Sequence, residues 1–132
     1  MQEVTAKLNF LRIGPRKVRL VVDLIRGRKA VKAINILSLM NKVAAKPILK
    51  LLNSAVANAK HNYNLPVEAL HIAKITVDGG PVLKRSMPKA HGRATPVRER
   101  TSHINLVLAG EIEEKKVKKE KKVKDKSENK NN

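Results

Sequence analysis

The sequence predicts an α+β fold in which three helices pack on a small three-stranded antiparallel sheet and a long β-hairpin protrudes from it. Three observations carry this. Apolar and polar residues alternate near the N-terminus and again late in the chain, the period of half-buried strands. Apolar residues recur at helical spacing in the stretch between. The two late strands are separated by KRSMPKAHGRATPVRERTSH, residues 84–103, which holds six Lys/Arg, one acid, two prolines and almost nothing that builds a core.

Taken in order, Val4, Ala6, Leu8 and Phe10 alternate with Glu3, Thr5, Lys7 and Asn9, giving a strand with one polar face. GPRKVRLVVDLIRG follows. Gly14 caps, Pro15 suits the first helical position and Gly27 closes the far end, while Val18, Val21, Val22 and Ile25 form the inner stripe. Arg16, Arg19, Asp23 and Arg26 gather on another side, with Asp23 within reach of Arg19 or Arg26. The second helix, KAVKAINILSLM, is expected to bury Val31, Ile34 and Leu37, and Asn41 marks a break.

The third helix runs to about Asn62 with Ile48, Leu52, Ala55 and Ala59 inward and Leu49 and Val56 beside them. Pro47 either sits in its first turn or kinks it. The alanines Ala55, Ala57 and Ala59 make it thin enough to lie close against a sheet. HNYNLPVE is a loop. Leu70 and Ile72 then alternate on one parity and Ile75 and Val77 on the other, which predicts a bulge near Ala73 or Lys74. DGGP is a break or bend at the end of the core part of the strand, and Ile104, Leu106 and Leu108 form the returning strand.

The 132 residues suit one domain with a tail: a body over 1–110 that includes the hairpin at about 80–104, and a Lys-rich stretch over 111–132. In that stretch Glu111, Glu114 and Glu120 each stand four residues before a lysine, so disorder or a marginal helix is expected. The opening MQEVTAKLNF lacks the apolar run of a signal peptide, and no segment is apolar enough for a membrane span. No Cys occurs, which removes disulfides, thiolate metal sites and thiol nucleophiles.

Charge dominates the composition: 29 Lys/Arg against 11 Asp/Glu, a net +18. Such a field opposes compact folding unless a polyanion neutralises it, which points to nucleic acid or an anionic surface. Enzyme chemistry finds no support. The first 110 residues hold five acids, Glu3, Asp23, Glu68, Asp78 and Glu99, none spaced to pair with another. His61, His71, His91 and His103 match no zinc spacing, and Gly79 and Gly80 open no phosphate-cradling helix. No metal, no cofactor and no enzymatic activity are expected, and a nuclease built from His and Lys is the third reading behind two binding ones.

Residues 84–103 are read differently from the tail, whose charges suit a solvated surface. A structureless loop of this length is uncommon in a compact domain and is usually functional or disordered. As an antiparallel extension, roughly ten residues a side at ~3.3 Å each reach about 30 Å beyond the core. Arginine supplies planar donors to phosphate, while Pro, Gly and Ala keep the ribbon slim. Aromatics are almost absent, so stacking on single-stranded bases is not the mode, and phosphate contacts to a folded RNA or a duplex are. A DNA-architectural protein with a basic β-arm is the rival reading. Its arm needs an apolar wedge, for which Met87, Pro88, Pro96 and Val97 are the candidates.

RKVRLVVDLIRGRKAVKAINIL, NSAVANAKHN, ITVDGGPVLKRSMPKAHGRA and RERTSHINLVL, together and in order, resemble the bacterial large-subunit ribosomal proteins of the L twenty-two family. The resemblance runs from about Leu11 to Leu108. It implies a structural constituent of the large ribosomal subunit, in the cytoplasm, that binds and organises large-subunit ribosomal RNA during assembly and touches neighbouring ribosomal proteins. It implies that the hairpin leaves through 82–87, turns over 89–94 and returns through 95–103. The tip, with Met87, Lys89, Ala90, His91, Gly92, Arg93 and Ala94, would line the nascent-peptide exit tunnel and meet the nascent peptide. Macrolide antibiotics would bind nearby, with resistance changes expected at Lys84, Arg85 and Met87. The RNA-binding residues implied are Arg12, Arg16, Lys17, Arg19, Arg26, Lys60, His61, Lys84, Arg85, Lys89, Arg93, Arg98, Arg100 and His103. Departures from the family pattern are Gly14 where Ser often precedes Pro, His91 at a tip position where other basic residues are common, and the extension after Gly110.

Overall fold

The computed structural model describes residues 1–110, and the expectation of a disordered or marginally helical stretch over 111–132 lies outside the described residues. The elements run β1 (Gln2–Leu11), α1 (Pro15–Ile25), α2 (Ala30–Leu39), α3 (Ala45–Tyr63), a short 3-10 turn (Val67–Ala69), β2 (His71–Pro88), a second 3-10 turn (Ala90–Gly92) and β3 (Ala94–Gly110). The strands form one antiparallel sheet in the order β1-β3-β2. The helices lie on the face that carries Ile104, Leu106 and Leu108 of β3, Val4 of β1 and Ile75 and Val77 of β2, all buried. Among the described residues no helix is long and apolar enough to cross a membrane.

α1 begins where Gly14 and Pro15 place it. Gly14 is extended and offers its carbonyl to the N–H groups of Lys17 and Val18 at 3.1 and 3.2 Å, while Pro15 has no N–H to leave unsatisfied. Its inner stripe is the expected Val18, Val21, Val22 and Ile25. α2 is rotated from expectation: Ala30, Ala33 and Leu37 are buried, Ile34 is half-buried and Val31 is exposed. The cause is local. The Ala30 N–H bonds the Leu70 carbonyl and the Ile72 N–H bonds the Arg28 carbonyl, each at 2.9 Å, so the start of α2 is stitched to the start of β2 and turns its alanines inward. Pro47 is the third residue of α3, inside the first turn where a missing N–H is harmless, and the helix continues through it. Ala55 and Ala59 are buried, whereas Ala57 is exposed.

The sheet is irregular in three places. In β1 the register shifts between Leu8 and Leu11, and Phe10 departs from the expected alternation. Phe10 takes a left-handed φ of 57° and its ring is exposed, standing edge-on to His103 at 4.9 Å. The expected bulge in β2 lies between Ile72 and Lys74. DGGP is the expected irregularity at the end of the core part of the strand: β2 shifts register between Gly79 and Val82 and continues to Pro88.

Gly80 occupies that last irregularity because a side chain has no room there. A Cβ would collide with Thr101 Oγ1 and lie 3.2 Å from His103 Nε2, whereas a Cβ on Gly79 meets nothing within 4 Å. Gly80→Ala is therefore expected to lower stability by about 1–3 kcal/mol. Gly79→Ala should change it by less than about 1 kcal/mol. Urea unfolding of both variants reads the difference, and equal midpoints would show that the Thr101 side chain yields without cost.

Candidate nucleic-acid interface

β3 is an unbroken strand, so its residues keep strict alternation from body to tip. Ser102, Ile104, Leu106 and Leu108 share one face and are buried under the helices. The same face continues as Arg100, Arg98 and Pro96, opposite Val82, Lys84 and Ser86 of β2. Past the last β1 rung, Leu11 opposite Ser102, the sheet is two strands wide, and none of residues 84–96 is buried. What was a core face thus becomes a cationic one. The seven rungs from Val82 and Arg100 to Pro88 and Ala94 span about 20 Å at ~3.3 Å each, shorter than the ten-residue reach expected from sequence.

The rung that sets Lys84 directly opposite Arg98 is electrostatically unfavourable. Facing like charges on one side of an antiparallel pair repel. The nearby carboxylate, Glu99, does not relieve it, because it pairs with Leu83 and so projects from the other face. Arg85 and Met87 share that other face. The cationic face therefore calls for an anion from outside the chain.

Two buried hydroxyls bring further cations to the base of the ribbon. Ser102, fully buried, donates to the Ile13 carbonyl and fixes the loop between β1 and α1. Thr101, buried beside it, donates to the Pro81 carbonyl at 2.6 Å and fixes the root of β2. Arg12, Arg16 and Lys17 are thereby placed beside Arg98 and Arg100 around a cleft of about 660 Å³. Sequence reading passed over Thr101 and Ser102, since hydroxyls between an arginine and a histidine look like surface; for Ser102, its place in the core alternation of β3 was the available signal.

Other residues expected at the interface lie elsewhere. Arg19 donates to the Val77 carbonyl at 3.1 Å and Arg26 to the Ile75 carbonyl at 3.3 Å, so both lean back onto the body of β2. Arg26 also pairs with Asp23 at 3.0 Å, an exposed contact of small energetic weight. Lys60 and His61 occupy the last turn of α3, and Val43, just ahead of that helix, lines the cleft. A helix rise of ~1.5 Å per residue carries the two about 25 Å away from it. His103 belongs to the β1 bulge: its Nδ1 accepts the Phe10 N–H at 3.1 Å. It projects from the face opposite Arg100.

The tip is a tight, exposed turn. The Lys89 N–H donates to the Arg93 carbonyl at 2.7 Å, and His91 and Gly92 take consecutive left-handed φ values of 59° and 68°. Gly92 meets this without strain, and His is among the few other residue types enriched there. Lys89, His91 and Arg93 present their side chains outside any core.

A body of modest size with a coreless ribbon, cationic on one face and crowned by basic side chains, has the shape and charge suited to a structural nucleic-acid-binding protein. The family described as Ribosomal protein L22p/L17e matches residues 6–109, and the chain belongs to that family. The family is structural and has no catalytic role. Among its relatives, the large ribosomal subunit protein uL22 of Desulfitobacterium hafniense is 53% identical over 108 residues, covering 82% of this chain and 95% of that protein. The uL22 proteins of Geobacter sulfurreducens (51% over 107 residues, 81% and 96% of the two chains) and Mycoplasma mycoides (50% over 109 residues, 83% and 98%) are similar over the same extent.

The two kinds of arginine should separate in experiment. Arg19→Ala removes a bond between helix and sheet and is expected to lower stability by about 1 kcal/mol. Arg98→Ala relieves a like-charge rung and should leave stability unchanged or slightly raised, within about 0.5 kcal/mol, while weakening RNA binding. Thermal unfolding and filter binding on the same two variants check this, and a stability loss at Arg98 equal to that at Arg19 would contradict the assignment.

Proposed function

We propose that this chain is a structural constituent of the large ribosomal subunit that binds and organises large-subunit ribosomal RNA during assembly, in the cytoplasmic ribosome, with neighbouring ribosomal proteins as its other partners. Family membership supports the setting, since the relatives are large-subunit proteins. The observation that carries the mechanism is the rung of Lys84 and Arg98, continued by Arg100, on the ribbon face that extends the core. Phosphates of a folded RNA supply the missing anions there, and Arg12, Arg16 and Lys17 extend the contact onto the body. Lys60 and His61 make a separate, distant contact, while Arg19 and Arg26 chiefly hold α1 to the sheet.

The tip is assigned to the wall of the nascent-peptide exit tunnel. Its slimness supports this: Met87, Lys89, Ala90, His91, Gly92, Arg93 and Ala94 are all exposed and the turn needs no core. Nascent peptide would pass these side chains, and substitutions at Lys84, Arg85 or Met87 would alter macrolide susceptibility.

Gradient fractionation of a lysate tests the setting. The chain is expected with the large subunit through a moderate salt wash, and recovery chiefly with chromosomal DNA would overturn it. Salt titration tests the mechanism. Affinity for ribosomal RNA should fall steeply with salt, and the double variant Lys84→Ala/Arg98→Ala should reduce the slope of log affinity against log salt by about 2. An unchanged slope would show that these two side chains do not face phosphate.

A further inference from the structure

We propose that the cleft at the root of the ribbon takes in a single unpaired RNA nucleotide, its base against an apolar wall and its phosphate on the flanking cations. The inference rests on the RNA-binding reading above and adds to it a base-binding site, in a chain whose scarcity of aromatics argues against one.

The lining of the cleft carries the case. At about 660 Å³ it falls within the size of small-ligand sites. Five of its twelve lining residues are cationic, and Ile13, Pro15, Val43 and Leu83 supply apolar side chains among them. A row of duplex phosphates lies on a flat cationic face and has no use for such a wall. A nucleotide has both halves: an apolar base face and an anionic phosphate. Ile13 and Pro15 are half-buried in the wall, while Val43, between α2 and α3, is 82% exposed at its lip. That valine is an apolar side chain left in water until something covers it.

The cleft is also built in advance of any ligand. Buried Ser102 holds the Ile13 carbonyl, the Ile13 N–H bonds the Leu11 carbonyl at 2.8 Å, and buried Thr101 holds Pro81. A wall so fixed loses little freedom when occupied. Five cations against the single carboxylate of Glu99 leave the lining strongly selective for an anion. An acidic peptide satisfies that charge, but RNA is the occupant that continues: Arg98 and Arg100 belong both to the cleft and to the cationic ribbon face, so one strand can cross from one to the other. The nucleotide is unpaired because extruding a paired base costs a few kcal/mol, whereas a bulged one is already out of the stack.

The test compares three RNA duplexes of one sequence for binding to the full chain at fixed salt: fully paired, with a single bulged adenosine, and with an abasic bulge. The adenosine bulge is expected to bind about tenfold more tightly than the paired duplex, and the abasic bulge to lose most of that gain. Val43→Ser, on an exposed loop, should cut the preference for the adenosine bulge to about twofold. Equal affinity for adenosine and abasic bulges overturns the proposal, as does a preference untouched by Val43→Ser. Displacement of the bulged RNA by a polyglutamate peptide at equal concentration would overturn it too, by assigning the cleft to a protein. Binding of all three duplexes alike sinks this inference and leaves the RNA-binding reading standing. Failure to bind any of them sinks both.

Discussion

The continuous antiparallel ladder between β2 and β3 is the interaction on which the rest of this molecule depends. It pairs the strands from His71 opposite Ala109 out to Pro88 opposite Ala94, through two register shifts, and so spans both a buried sheet and an exposed ribbon. In the body the ladder is supported by apolar burial on the face beneath the helices. Beyond Ser102 that support ends, and backbone hydrogen bonds with their exposed side chains remain. An isolated two-stranded hairpin is marginal in water. Here it is an extension of strands already fixed at their other ends, so its pairing need not be nucleated.

Alternation along β3 turns that continuity into chemistry. A side chain two residues further along a strand stays on the same face, so the stripe that reads Leu, Leu, Ile inside the body reads Ser102, Arg100, Arg98 as it leaves. The change falls where the helical layer stops. Ser102 marks the boundary, buried enough to be core and polar enough to hold the Ile13 carbonyl. This hydroxyl joins the arginines of β3 to those around the start of α1, residues nearly ninety positions apart in sequence. Body and ribbon are thereby one cationic surface instead of two.

Much of this was legible in the sequence because its signals are local. Period two gave the three strands, the slip in parity at Ile72 and Ile75 gave the first bulge, and Gly14 with Pro15 gave the start of α1. Misreadings came where distant partners decide. The rotation of α2 is set by backbone bonds from Arg28 and Ala30 to β2, which no helical wheel of Val31, Ile34 and Leu37 contains. Phe10 belongs to an alternation that a left-handed φ interrupts, and its partner His103 lies far along the chain. The same holds for the site. Arg19 and Arg98 are indistinguishable as letters in a basic stretch; one guanidinium reaches a strand carbonyl 58 residues away and the other faces a lysine. Composition pointed to a polyanionic partner, but pairing was needed to say which cations are unspent.

The choice of a β-ribbon for such an arm follows from the same physics. A helix of equal reach is about 10–12 Å across with side chains projecting all round, and an amphipathic one needs a surface to bury its stripe. A two-stranded ribbon satisfies the inward half of its backbone groups internally and can be read by charge on one face and left nearly neutral on the other. In this chain Lys84, Arg98 and Arg100 occupy one face, while Leu83, Val97, Thr95 and Met87 dilute the other, on which Arg85 and Glu99 offset each other's charge. Self-repulsion within the cationic face is the cost of that arrangement in the free protein. A partner that brings a line of anions along that face would relieve the repulsion. The arm holds its register through a ladder rooted in the body, and its cationic face stays open to solvent at Lys84, Arg98 and Arg100.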